Sequence, residues 1–334
     1  MAVDTMGGDF APQNIVAGAL DALRHASNRF DIILVGREDE IKKELEKHSI
    51  NGLRFSIVNA TEVVGMDESP TVALKQKKDS SITVGLTLHK EGKADAFISA
   101  GNTGAVMSAS TIILGRAEGV SRPTIGTPFP TEKGPCLLLD AGANVDCKPQ
   151  HLLEFGMMGS IYANYILGYD NPTVGLINIG EESTKGNEIT LEAYNLLQKS
   201  KLNFIGNIEG RDILKGKANV IVCDGFVGNI VLKFAESVLG LLKAKFKDYT
   251  ASNLLNKIWV GLMYRTLKKI LKDFDYQEHG GVPLLGVNGI SIIGHGGSTP
   301  KAIMNMILKA EDMLIKEVDR HIAEIMLVNK NERQ

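Results

Sequence analysis

Residues 96–115 read AFISAGNTGAVMSASTIILG and contain no charged side chain. The run reaches the length of about 20 residues that a membrane-spanning helix needs. It also contains Gly101, Gly104 and six serine, threonine or asparagine side chains, and a lipid-facing helix would have to remove water from these polar groups. The stretch therefore predicts a buried strand over 96–101, a glycine-rich loop and a buried helix.

Apolar runs of the same kind recur from one end of the chain to the other. Helix-like stretches separate them, such as the charged residues 37–48. The other runs cover residues 32–36, 136–140, 174–180, 220–225 and 290–294. Short apolar strands that alternate with helices are typical of a mostly parallel sheet covered on both faces. We therefore expect one α/β domain over residues 1–334, with the glycine loops together at the carboxyl edge of one sheet, where ligands bind.

The composition is that of an ordinary folded protein. The chain has 334 residues, 44% of them hydrophobic and 23% charged, which excludes disordered, collagen-like and coiled-coil classes. A net charge of −2 indicates no nucleic-acid partner. The opening residues lack a targeting signal, so we expect a cytoplasmic protein. The three cysteines have no C-x-x-C spacing and indicate neither a disulfide framework nor a zinc site.

Several catalytic signatures are absent from the sequence. The chain has no G-x-x-x-x-G-K-[ST], no G-x-G-x-x-G after a first strand, no H-E-x-x-H and no G-x-S-x-G. The seven histidines show no metal-ligand spacing. No cofactor, metal ion or covalent nucleophile is therefore predicted.

Six loops built from glycine, asparagine, threonine and aspartate remain as candidates. They cover residues 6–9, 100–104, 140–146, 180–188, 224–229 and 294–298. In the second loop, glycines let backbone N–H groups converge at a helix start, which is how proteins hold phosphate. In the fourth loop, Lys185 can reach a phosphate as a point charge. A tight turn explains each loop alone, but six at one sheet edge predict a cleft that handles phosphate.

Residues 231–276 differ from the rest of the chain in charge. Nine lysine or arginine residues and only two acidic residues lie between 231 and 272. We expect a protruding hairpin of two basic amphipathic helices, broken near 250–253, where Ser252 or Asn253 caps the second helix. Two interpretations stay open for the basic face. It is a solvated surface, or it docks an acidic protein or an anionic membrane.

Seven motifs, in order and over nearly the whole chain, resemble those of one bacterial family. They are AVDTMGGD (2–9), SAGNTGA (99–105), DAGANVD (140–146), KGNE (185–188), GNIEGRD (206–212), DGFVGN (224–229) and GVNG (286–289). By these motifs the chain resembles the PlsX family, the phosphate acyltransferases of phospholipid synthesis. The resemblance implies a Rossmann-like, doubly wound α/β fold related to isopropylmalate dehydrogenases and phosphotransacetylases.

The resemblance also implies an activity and partners. The family transfers a fatty acyl group from acyl carrier protein to inorganic phosphate, and a glycerol-3-phosphate acyltransferase then uses the acyl phosphate. It implies a homodimer that associates peripherally with the membrane. Five basic residues of the hairpin would contact the acidic carrier protein or anionic lipid: Lys257, Arg265, Lys268, Lys269 and Lys272.

The resemblance fails at one position that concerns the chemistry. The first family motif usually continues with histidine, whereas this chain has Phe10. A catalytic role for that imidazole cannot be carried over to Phe10. Such a role is therefore assigned to His295 or left out. The chain also begins about two residues closer to the motif than most family members.

The reaction needs phosphate binding, charge neutralisation and stabilisation of an oxyanion. We expect phosphate to be bound by Gly101, Asn102, Thr103 and Gly104. Lys185 is expected to neutralise the phosphate charge. Asn187, Asn229 or a nearby backbone N–H is expected to face the oxyanion, and His295 to protonate the leaving thiolate. Free carboxylates would repel phosphate, so orienting roles are expected for Asp9, Asp140 and Asp224. Asn144 is expected to share this orienting role.

Two other functions remain as alternatives. An NAD-dependent hydroxy-acid dehydrogenase would use a related fold, since fold alone does not determine function. The missing dinucleotide motif argues against it. A non-catalytic scaffold at the membrane surface would use the basic hairpin but would have no use for converging glycine loops.

Overall fold

A computed structural model of the protein describes residues 1–270 and 280–331, with the backbone alone at 252, 254, 255, 264, 265, 267, 268 and 270. The strands are β1 Ala2–Asp4, β2 Ile32–Gly36, β3 Phe55–Asn59, β4 Ala96–Ser99, β5 Thr124–Ile125, β6 Thr127–Phe129, β7 Cys136–Leu139, β8 Thr173–Ile177, β9 Asn203–Ile208, β10 Val220–Val222, β11 Val282–Leu285 and β12 Ile290–Ile293.

The helices cover the strand faces and connect most of the strands. They are α1 Gln13–His25, α2 Glu38–Leu45, α3 Pro70–Gln76, α4 Ser81–Lys90, α5 Thr103–Ile113, α6 Pro149–Tyr165, α7 Glu188–Lys199, α8 Gly225–Ser252, α9 Leu254–Ile270, α10 Pro300–Ile315 and α11 Val318–Asn331. A short 3-10 helix covers Gly210–Asp212.

These strands form two sheets. The first has the order β3-β2-β1-β4-β12-β11-β5 and the second β6-β7-β10-β8-β9. Pairs that involve β11 or β6 are antiparallel, and the other strand pairs are parallel. The predicted mostly parallel, doubly wound α/β fold is thus confirmed. All six predicted apolar runs are strands, and the charged stretch 37–48 contains α2.

The expectation of one sheet with all loops at one edge was wrong. The chain leaves the first sheet at β5, which pairs with β11, and enters the second sheet at β6, which pairs with β7. Only Gly126 lies between β5 and β6. Apolar runs indicate that strands exist but not which strands pair, and therefore the sequence pattern did not separate the two sheets. One apolar cluster contains buried residues of both, such as Val3 and Leu34 with Leu137 and Val174.

Two helices cover the basic segment as far as residue 270, as predicted, and its residues 271–276 lie outside the described residues. They are broken at Asn253, whose side chain accepts a hydrogen bond from Asn256 N at 2.8 Å, so the predicted cap is confirmed for this residue. The first helix, α8, begins at Gly225 rather than near 231. Lys257 and Lys269 are exposed. The side chains of Arg265 and Lys268, and all of Lys272, lie outside the described residues.

The two helices also expose large apolar side chains. Phe234 is 69% exposed, Trp259 64% and Leu262 71%. Among the described helices, α8 is the one long and apolar enough to cross a membrane, judged by length and composition only. Length and composition alone are weak evidence for a membrane span.

Candidate active site

The first loop cluster lies at the carboxyl ends of β1, β4 and β12. Asp4 is buried at its centre and accepts hydrogen bonds from Ser99 Oγ at 2.6 Å and Met6 N at 3.0 Å. Ser99 Oγ in turn accepts a bond from Gly101 N at 3.0 Å. Burial raises the pKa of Asp4, and these hydrogen bonds oppose that shift. A buried carboxylate thus connects two of the predicted loops.

These two loops are in backbone contact. A Cβ atom on Gly7 would lie 2.5 Å from Asp4 Oδ2 and 2.7 Å from Gly101 N, so only glycine fits at this position. Asp4 was not among the predicted site residues. Like Asp140 and Asp224, Asp4 stands at the end of an apolar run, and this signal could have identified it.

Asn102 fixes the start of α5 and a neighbouring segment. Its side-chain oxygen accepts a bond from Ala105 N at 3.0 Å and so caps the helix. Its Nδ2 donates to Met66 O at 2.9 Å and Glu68 O at 3.0 Å. The amide of Asn102 is therefore engaged within the chain. Thr103, which follows it, is exposed.

Asp9 and His295 lie near each other in the first cluster. Asp9 N donates to Gly296 O at 2.8 Å, and a Cβ on Gly296 would lie 3.1 Å from Asp9 Oδ1. His295 Nδ1 accepts a bond from Gly297 N at 3.0 Å. Both side chains are exposed, as is Phe10 at 53%.

The second cluster follows β7 and β10 in the other sheet. Asp140 is fully buried, and its carboxylate accepts bonds from the following loop. The donors are Asn144 N at 2.6 Å, Asn144 Nδ2 at 2.8 Å, Ala143 N at 3.0 Å and Gly142 N at 3.2 Å. Burial raises the pKa of Asp140, and these donors oppose that shift. The carboxylate determines the shape of the loop.

Asp224 and Asn229 belong to this second cluster. Asp224 caps α8 by accepting a bond from Val227 N at 2.8 Å, and the next residue, Gly225, donates its N–H to Asn144 O at 2.7 Å. Asn229 is exposed and lies beside the Asp140 loop. A Cβ on Gly142, in that loop, would lie 3.5 Å from Asn229 Oδ1. The structure thus brings Asp140, Asn144, Asp224 and Asn229 together.

Lys185 and Asn187 lie in a third loop, after β8. Asn178 Nδ2 donates to Lys185 O at 2.9 Å, and Asn187 caps α7 by accepting a bond from Thr190 N at 2.9 Å. Both side chains are exposed. Because β10 lies between β7 and β8, this loop starts about 10 Å from the Asp140 loop. No contact among the described residues joins Lys185 to either cluster.

The two clusters border one apolar core. Ala141, in the Asp140 loop, belongs to the same buried apolar cluster as Ala105 and Val106 of α5. The phosphate loop predicted on the first sheet leads into this helix at Asn102 and Thr103. Convergent polar loops at strand ends are the usual place for a ligand in α/β folds.

The cysteines are not available as nucleophiles. All three are buried, and burial raises the pKa of Cys136 and of Cys147 to about 12. Burial also raises the pKa of Cys223, which lies next to Asp140 and Asp224. A thiol of this kind carries almost no thiolate at neutral pH.

Comparison with solved structures shows the fold. The chain superposes on a phosphotransacetylase from Streptococcus pyogenes with a TM-score of 0.64 and 17% identity, covering 94% of both chains. A branched-chain phosphotransacylase from Enterococcus faecalis gives a TM-score of 0.53 at 13% identity, covering 94% of this chain and 99% of that one.

Comparison of sequences shows the family. The family model described as "Fatty acid synthesis protein" matches residues 1–321. A phosphate acyltransferase of Desulfitobacterium hafniense is 52% identical, over 96% of this chain and 97% of the relative. One of Chlorobaculum parvum is 48% identical, over 97% and 98%. These matches confirm the resemblance carried by the seven motifs, and the chain belongs to the fatty acid synthesis protein family, whose curated relatives are named phosphate acyltransferase.

Proposed function

We propose that this protein, acting as one α/β unit, is an enzyme that transfers a fatty acyl group from acyl carrier protein to inorganic phosphate. The observation that carries the proposal is the match to relatives named phosphate acyltransferase at about half identity over nearly the whole chain. A likeness to a putative 4-hydroxythreonine-4-phosphate dehydrogenase, at 13% identity, concerns the fold alone. The dehydrogenase and scaffold alternatives are therefore not favoured.

The chemistry needs little proton transfer from the protein. A phosphate oxygen attacks the thioester carbon, the C–S bond breaks, and the proton of HPO₄²⁻ ends on the carrier thiol. Phosphate carries about 1.5 negative charges near neutral pH, and a thiol with a pKa of about 8.5 is a good leaving group. The enzyme's task is to bind and orient a hydrated anion and to stabilise the carbonyl oxyanion.

The described residues suggest how the roles divide. The backbone N–H groups of Thr103 and Gly104 at the start of α5 would hold phosphate, since the amide of Asn102 is engaged within the chain. Asn229 would face the oxyanion, and Asp140 would orient the loop beside it. Lys185 and Asn187 take part only if the bound substrate extends across β10.

The remaining predicted roles belong to His295 and Asp9 and to the helices α8 and α9. His295 would protonate the departing thiolate and take the proton of the attacking phosphate in return, and Asp9 would orient the loop that carries His295. We propose that α8 and α9 dock acyl carrier protein or rest on an anionic membrane. We further propose a cytoplasmic homodimer, associated with the membrane, whose acyl phosphate passes to a glycerol-3-phosphate acyltransferase.

The function is tested by incubating the pure protein with palmitoyl-acyl carrier protein, with and without phosphate. We expect free thiol and hydroxylamine-trappable acyl phosphate to appear together, and only with phosphate. Thiol release that does not depend on phosphate would indicate a thioesterase instead. No release at all, with the carrier protein still bound, would support the scaffold.

Reversing two exposed charges on α9 tests the docking role. The double variant Lys257→Glu/Lys269→Glu is expected to weaken carrier-protein binding about tenfold at low salt, because steering between opposite charges depends on ionic strength. The control is Lys90→Glu/Lys133→Glu, which makes the same charge change at exposed positions elsewhere. Titrations with apo-carrier protein and with anionic vesicles at low and high salt measure the effect. Equal binding by the two double variants would contradict docking through α9.

A further inference from the structure

The backbone on the N-terminal side of Arg122 is held by a buried carboxylate. Glu154 of α6 is 1% exposed, and its two oxygens accept bonds from Ser121 N and Ser121 Oγ, both at 2.8 Å. Gln150 Nε2, one turn earlier on α6, donates to the same carboxylate at 2.9 Å. A buried charge is costly unless it is hydrogen-bonded, so this arrangement anchors the residue before Arg122 firmly to α6.

The backbone on the other side of Arg122 is held by the Asp140 loop. Asn144 Nδ2 donates to Pro123 O at 2.8 Å and to Asp140 Oδ2, also at 2.8 Å. Two residues further on, Ile125 O accepts a bond from Ala141 N at 3.0 Å. Arg122 therefore sits on a segment that is fixed between α6 and the second loop cluster.

The side chain of Arg122, by contrast, is exposed. Within residues 1–270 and 280–331, no carboxylate forms an ion pair with its guanidinium, whereas Arg29, Arg54 and Arg320 each have one. The positive charge of Arg122 also reaches α6. Burial is the main cause of the lowered pKa of His151 on this helix, and the charges of Arg122 and Lys148 lower it further.

From this placement we propose that the guanidinium of Arg122 binds the attacking phosphate beside the Asp140–Asn144 loop and neutralises its charge. The inference rests on the proposed function and assigns to Arg122 the role first expected of Lys185. A guanidinium donates two parallel N–H bonds to two oxygens of one phosphate, which orients the anion as well as binding it. Because the backbone of Arg122 is fixed on both sides, binding has to order the side chain alone.

The test compares the phosphate KM of four variants in the acyl-transfer assay. Arg122→Gln is expected to raise the phosphate KM about tenfold to a hundredfold, the loss expected for a hydrogen-bonded charge pair, with a smaller change in the KM for acyl carrier protein. Arg122→Lys keeps the positive charge but loses the two parallel N–H donors, so its phosphate KM should lie between those of wild type and Arg122→Gln. Lys185→Ala should change the phosphate KM less than Arg122→Gln does. The control Arg320→Gln removes an exposed arginine from α11 and should leave the phosphate KM unchanged.

A binding measurement separates this inference from the proposed function. Inorganic phosphate should raise the melting temperature of the wild-type protein, and the protein should broaden the ³¹P resonance of phosphate. With Arg122→Gln, both effects should need about tenfold to a hundredfold more phosphate. If wild type binds phosphate in this way but transfers no acyl group, the proposed function fails, and Arg122 remains a phosphate-binding residue of another activity. If acyl transfer occurs and Arg122→Gln keeps its phosphate KM within twofold, or alters only the KM for acyl carrier protein, the inference is overturned.

Discussion

Replacing Asp140 with alanine is expected to reduce acyl transfer at least a hundredfold and to lower the free energy of unfolding by about 3 kcal/mol. The carboxylate is fully buried and accepts bonds from Asn144 N, Asn144 Nδ2, Ala143 N and Gly142 N. Without it, these donors lose their acceptor, and each buried unsatisfied group costs about 1 to 3 kcal/mol before water enters. The loop that carries Asn144 would then lose its shape.

The matched control for this prediction is Asp146→Ala. Asp146 lies in the same loop but is exposed, so its removal should change both stability and activity little. Denaturant titration measures the stability, and the phosphate-dependent thiol assay measures the activity. Equal effects of the two substitutions would show that burial and hydrogen bonding of Asp140 do not control the site.

Gly228→Ala is expected to prevent correct folding or to lower the free energy of unfolding by at least about 3 kcal/mol. A Cβ at this position would lie 1.8 Å from Asp140 O and 3.1 Å from Cys223 Sγ. The first of these atoms belongs to the backbone, so α8 and the Asp140 loop would have to move apart. The same shift would displace Asn229, the next residue, from its place beside Gly142.

Gly240→Ala provides the control within the same helix. Nothing lies within 4 Å of a Cβ at Gly240, and alanine favours a helix by about 0.5 to 1 kcal/mol relative to glycine. The expected result is therefore opposite in sign, with a small gain in stability and unchanged activity. Soluble yield and denaturant midpoints of the two variants measure this difference. A stable, active Gly228→Ala protein would contradict the close packing of α8 on Asp140.

The sequence allowed the strands to be predicted but not their partners. The runs at 32–36 and 290–294 indicate strands because each has four residues, all of them apolar except Ser291, that end at a glycine. By contrast, β3, an edge strand with half-exposed side chains, and the two-residue β5 have no such pattern. The division into two sheets depends on pairs such as β5 with β11, which lie far apart in the chain.

The site could also be predicted only in part, because its arrangement depends on contacts between segments that lie far apart in the chain. Asp140 and Asp224 stand at the ends of apolar runs, and Asn144 lies in the loop after the first of these runs; the structure brings the three together. Asp4 has the same signal and was missed. Arg122 follows no strand, and its fixed position depends on Glu154 and Asn144, contacts that no local spacing indicates. Lys185 was chosen for its charge beside a glycine, but the order of the strands places it beyond β10.

The central claim is that inorganic phosphate is the acyl acceptor, and isotope transfer tests it most directly. The protein is incubated with palmitoyl-acyl carrier protein and [¹⁸O₄]phosphate in unlabelled water, and the lipid product is analysed by mass spectrometry. Attack by a phosphate oxygen on the thioester carbon predicts palmitoyl phosphate that carries all four ¹⁸O atoms, including the bridging one. Free palmitate formed at a rate that does not depend on phosphate, with no labelled acyl phosphate, would contradict the account.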